Sequence, residues 1–115
     1  MESKRYNLAV AEINRDTFDF IRSGEKKIET RAGSVKYQNI QNGDTLIFSC
    51  AGKKFEKRIK KVFHFKSIKE MLKKYDPNTI NPLTHSEKEL TDVYYSYPNY
   101  KEKIAKFGLL AFELE

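Results

Sequence analysis

A chain of 115 residues with 39% hydrophobic and 13% aromatic side chains is long enough to bury one core and too short for two. Even with 33% charged residues and a mean hydropathy of −0.71, it carries too much apolar surface to remain disordered. Lysine and arginine total 22 against 16 acids, and the resulting formal net charge of +6 favours a polyanionic partner while leaving the fold undetermined.

Cys50 is the one cysteine, which excludes an intrachain disulfide and fits a reducing, cytoplasmic setting. His64 and His85 have no cysteine or carboxylate companions at ligand spacing, so neither a metal nor a cofactor is expected. The polar start, Met1 to Arg5, leads into no apolar run of signal-peptide or membrane-spanning length, and no membrane association is expected.

Residues 6–13 alternate Leu8 and Val10 against Ala9 and Ala11 and read as a buried first strand. Asn14 or Asp16 caps a short helix through Phe18 and Ile21, which Gly24 ends. Ile28 and Thr30 then favour a strand. In its two-residue period Lys27, Glu29 and Arg31 share one side and Lys26, Ile28 and Thr30 the other, unless the turn rotates Lys26 out of register. Glu29 and Arg31, roughly 7 Å apart along one pleat, form either a solvated surface pair worth about 0–1 kcal/mol or a recognition pair that joins an acceptor to a planar donor fork. Val35, Tyr37 and Ile40 anchor the connection that follows, and Asn42-Gly43-Asp44 turns the chain into a strand over residues 45–50.

Ala51-Gly52 is a hairpin tip, and residues 53–65 return with Phe55, Ile59, Phe63 and Phe65 on one side and Lys54, Glu56, Arg58, Lys60 and His64 on the other. Lys57 and Lys61 interrupt the inner side and predict a bulge or an exposed strand end. The basic outer side either tracks a phosphate backbone or guards a sheet edge. Ser67 and Glu70 form a capping box for a helix carrying Ile68, Met71, Leu72 and Tyr75, and residues 76–85 read as a loop. Ser86 caps a further helix with Leu90, Val93, Tyr94 and Tyr97 along one stripe. Tyr94 and Tyr97 are expected to pack onto the sheet, whereas Tyr95 and Tyr100 are candidate stacking faces for a base. A helical turn over residues 101–106 precedes a final strand with Leu110, Phe112 and Leu114 alternating, and the whole reads as α+β.

Three stretches occur in order: residues 20–31 with Gly24, Lys26, Ile28, Glu29 and Arg31; residues 40–48 with Gly43-Asp44; and residues 107–114 with Phe107-Gly108-Leu109-Leu110-Ala111. Together they resemble the ASCH domain family, a branch of the PUA-like superfamily, over nearly the whole chain. The resemblance implies one domain over residues 1–115, a PUA-like small mixed β-barrel of about five to six strands with two to three helices packed outside. It also implies a cleft between barrel and helices lined by Lys26, Glu29 and Arg31, with Lys27 a further candidate, and a role in binding RNA or a nucleotide. Lys54, Arg58, Lys60, Tyr95 and Tyr100 are then additional candidate contacts. Some small relatives resemble amidohydrolases acting on acetylcytidine through a Lys-x-x-Thr motif. Here the lysine is Lys26 but Glu29 holds the threonine position, so a carboxylate acting as general base on water would have to replace that hydroxyl, with only Glu87 and Glu89 as candidates for the supporting acid. A protein-interaction module with a purely structural charge pair is the third reading, and its partner is not identifiable from the sequence.

Overall fold

The computed structural model describes residues 3–115. Among them Arg5–Ala9 (β1), Ile28–Ala32 (β2), Thr45–Cys50 (β3), Lys53–Phe65 (β4) and Leu109–Leu114 (β5) form one sheet in the order β1-β3-β4-β5-β2. β1 runs parallel to β3, and every other pairing is antiparallel. The sheet curls into a half-barrel whose two edges, β1 and β2, are not hydrogen-bonded to each other. The α+β expectation holds in this open form.

The alternation of Leu46, Phe48 and Cys50 with smaller or polar neighbours turns β3 into one wall of the barrel interior. Leu8 of β1, Ile59 of β4, and Leu110, Phe112 and Leu114 of β5 complete that interior, and Phe18 and Ile21 of α1 (Arg15–Ser23) plug it. A second core lies on the other side of β5. There Leu109 and Ala111 meet α2 (Ile68–Met71), α3 (Pro77–Ile80), α4 (Glu87–Ser96) and α5 (Tyr100–Phe107) through Met71, Ile80, Leu90 and Ile104. β5 is therefore buried on both faces, which explains its nearly unbroken apolar run. Its one charged side chain inside this layer, Glu113, accepts a 2.5 Å hydrogen bond from the Tyr75 hydroxyl.

The predicted bulge falls where β4 changes partner: the register with β5 slips between Ile59 and Lys61. One extra residue re-phases the strand, so Phe55 and Ile59 face the barrel while Phe63 and Phe65 face the helices, not one common side as simple alternation predicts. β1 stops at Ala9 rather than continuing to residue 13, because Glu12–Asn14 wind into a 3-10 turn that leaves Ile13 92% exposed. The expected loop over residues 76–85 contains α3, so the described residues hold five short helices rather than two or three. Ser67 and Ser86 cap α2 and α4 as their sequences predict, each accepting from a backbone N–H three residues on at 3.1 Å. No helix among the described residues is long and apolar enough to cross a membrane.

Candidate ligand cleft

The site begins with the end of α1. Gly24 adopts φ +86°, and the Lys26 N–H then donates to the Phe20 carbonyl at 2.9 Å, so residues 25–27 wrap around the helix end before β2 starts at Ile28. This wrap takes Lys26 out of the strand period. Its side chain turns inward and is 5% exposed, while Lys27 faces solvent. The Lys26 ammonium donates to the carbonyls of Ile28 and Ile80 and lies 3.9 Å from Glu29 Oε1. Burial lowers its pKa below the usual lysine value; Glu29 opposes that shift and Arg31 adds to it.

Glu29 is equally buried and holds its neighbours. Oε1 accepts from the Thr30 N–H at 2.8 Å, and Oε2 stands 3.5 Å from Arg31 Nη2. Burial works against the Arg31 charge, but Glu29, Tyr37 and Tyr100 outweigh it and the guanidinium value is raised. Arg31 therefore stays charged, with its guanidinium 5.8 Å from the centre of the Tyr37 ring.

β2 is an edge strand, and its residues 28, 30 and 32 turn their backbone polar groups away from β5. The chain's own side chains meet them: Lys26 on the Ile28 carbonyl, Glu29 on the Thr30 N–H and the Tyr100 hydroxyl on the Ala32 N–H at 3.3 Å. These contacts occupy the edge that would otherwise accept a sixth strand, which keeps the barrel open. In the gap lies a cleft of about 260 Å³, floored by the charged residues of β2, walled on one side by residues 9–11 and α1, and roofed by α3, α4 and α5. The roof is aromatic. The Tyr94 and Tyr100 rings stack at 6.2 Å, Tyr97 meets Tyr100 edge to face at 5.4 Å, and the Tyr94 hydroxyl is hydrogen-bonded to Thr30 Oγ1. Burial is the leading cause that raises the pKa of all three phenols, so they remain protonated at neutral pH and able to donate.

Of the candidates read from sequence, Lys26, Glu29, Arg31 and Tyr100 converge on this cleft. Lys27 points away, a consequence of the α1 wrap. Tyr95 lies on the outer side of α4, 45% exposed, with Lys101 5.6 Å from its ring centre. Lys54, Arg58 and Lys60 sit on the outer side of β4, and none of them lines the cleft. Glu89 is occupied with the helix start, accepting from the His85 N–H at 2.7 Å, and neither it nor Glu87 reaches the site. Thr30 lines the cleft as well, and Tyr94 and Tyr97 pack against the second core as expected while also lining the cleft. Helical spacing identified their common side but not the charged strand opposite it. Among the described residues no group of three or more His, Cys, Asp or Glu side chains is placed to hold a metal ion.

A model of the ASCH domain family matches residues 12–115, and the chain belongs to that family. It is similar in structure to the hypothetical protein PH0355, solved by crystallography, at 31% identity and a TM-score of 0.83, covering 96% of this chain and 97% of that one. It is also similar to protein PF0455 from Pyrococcus furiosus, solved by NMR, at 29% identity and a TM-score of 0.73, covering 96% of each chain. No curated protein is significantly similar to the chain.

Proposed function

We propose that this ASCH domain is a cytoplasmic RNA- or nucleotide-binding module and that its ligand inserts one nucleotide into the cleft beside β2. The observation that carries this reading is the convergence of an acceptor, a fixed cation and aromatic rings on one cavity: Glu29, Arg31, Tyr97 and Tyr100. Arg31 donates to a phosphate or a base acceptor, Glu29 accepts from an exocyclic amine or a ribose hydroxyl, and the tyrosines offer ring faces and hydroxyls. The cavity is slightly below the roughly 300–1,000 Å³ of ordinary ligand pockets, a size suited to one base and its sugar. Lys26, already donating to two carbonyls, supports the site through its position and field rather than by direct contact.

The binding reading is favoured over hydrolysis of an acylated nucleoside by two features. The amine that would have to react is engaged by backbone acceptors, and Glu29 stands where the amidohydrolase pattern places a threonine. Titration of single-stranded RNA and of free ribonucleotides into wild type, Glu29→Gln and Arg31→Ala tests the assignment. Each substitution is expected to weaken binding about 10- to 100-fold, the scale of one lost hydrogen bond to a charged group, with the fold intact by circular dichroism. Undiminished binding in both variants would remove the cleft from consideration.

A further inference from the structure

Register across the sheet connects the cleft to a second basic surface. On the outer side of the half-barrel, Lys54 of β4 pairs with Ser49 of β3, which pairs with Ala9 of β1. Ala9 lines the cleft. With strands about 4.8 Å apart, Lys54 lies about 10 Å from the cleft margin at Ala9, and only the small side chain of Ser49 intervenes. A second basic row joins Arg58, Thr45 and Arg5, and the row between the two holds Glu56, Ile47 and Asn7. Beyond it the bulge brings Lys60 and Lys61 to the same outer side, where both are exposed at a shallow depression shared with Asn42, Gly43 and Arg58 and with the carboxylates of Glu113 and Glu115, which leave the depression with a net charge of about +1.

The cations on this strip differ in what they already hold. Arg5 is paired with Glu56 at 2.5 Å and Arg58 with Glu115 at 3.5 Å, whereas Lys54, Lys60 and Lys61 form no ion pair among the described residues. Neither row contains an aromatic side chain, so the strip has no platform on which bases could stack. Mobile ammonium groups suit phosphate oxygens as point charges.

We infer that this outer strip carries the sugar–phosphate backbone of a single-stranded RNA whose one base occupies the cleft, so the ligand is a polynucleotide rather than a free nucleotide. The inference rests on the cleft reading above. It is tested by titrating the four ribonucleoside monophosphates and four eight-nucleotide homopolymers over a salt series into wild type and a Lys54→Gln, Lys60→Gln, Lys61→Gln variant. The best octamer is expected to bind wild type at least about tenfold tighter than its monophosphate, a gain that linking contacts readily supplies. The triple variant should lose most of that gain, with the slope of log affinity against log salt reduced by about 2, or roughly 0.7 per phosphate contact, while monophosphate affinity is unchanged. An octamer no tighter than its monophosphate, or a triple variant that keeps the full gain and slope, would overturn the strip. Failure of the cleft has a different signature: Glu29→Gln and Arg31→Ala would leave monophosphate and octamer affinities untouched, and the path from cleft to strip would fall with it.

Discussion

Lys26 shows how one residue is diverted from its local pattern. The two-residue period beginning at Ile28 does not reach back to it, because the chain is still wrapped around Gly24 when it passes position 26. The sequence carried the lysine, the glutamate and the arginine and allowed for a turn that would rotate Lys26, but the two carbonyls it meets belong to β2 and α3, separated by 52 residues. Replacing Lys26 with methionine leaves those carbonyls unmatched and is expected to cost about 2 kcal/mol at neutral pH. Its pH signature is more specific. Above its lowered folded value, the unfolded chain binds the lysine proton that the folded chain has released, so the stability linked to Lys26 rises with pH until about 10.4. Tyr94, Tyr97 and Tyr100 act with the opposite sign: their folded values are raised, and stability is lost as pH climbs beyond roughly 10. Urea unfolding between neutral and strongly alkaline pH should show the rise and then the fall in wild type, and only the fall in Lys26→Met. Identical profiles for the two proteins would mean that the lysine titrates as it does in the unfolded chain.

Among the elements, β4 separates what could be read in advance from what could not. Its length, its basic outer side and the choice between a bulge and an exposed strand end near Lys57 to Lys61 follow from a run in which charge interrupts an apolar alternation. The position of the extra residue does not, because it is fixed by where β3 ends and β5 takes over as partner. The same limit applies to the tyrosines. Their spacing in α4 and the turn into α5 defines a side of the helix, yet only the topology, which sets α4 over an edge strand, makes that side the roof of a cleft. Deleting Lys60 tests the bulge directly. Because Ile59 pairs with Leu114 and Lys61 with Glu113, removing the extra residue leaves regular pairing with Phe55 and Ile59 still facing the barrel and Phe63 and Phe65 still facing the helices, and a loss under about 1 kcal/mol is expected in chemical denaturation. A loss of about 3 kcal/mol or more, comparable to removing one buried aromatic, would show that the extra residue lies elsewhere in the strand.

At the scale of the whole molecule, the order β1-β3-β4-β5-β2 puts two strands that are neighbours in sequence at opposite edges of the sheet. The gap between them can form only after the other three strands have paired, so the cleft is a product of the complete fold and of no separable piece. The apolar matches within strands and the capped helices were legible residue by residue, whereas an opening between distant edges is a property of topology. The side chains that occupy the β2 edge have a consequence for how separate molecules meet. An unoccupied edge strand invites the same strand of another copy to pair with it, and here Lys26, Glu29 and Tyr100 hold the groups such a pairing would use. Tyr100→Phe, which frees the Ala32 N–H, is expected to raise the sedimenting mass with protein concentration, whereas wild type stays at constant mass; a variant indistinguishable from wild type would assign the protection to other residues. On the proposed binding reading, ligand choice and colloidal behaviour draw on the same few side chains, and a change that retunes one is felt in the other.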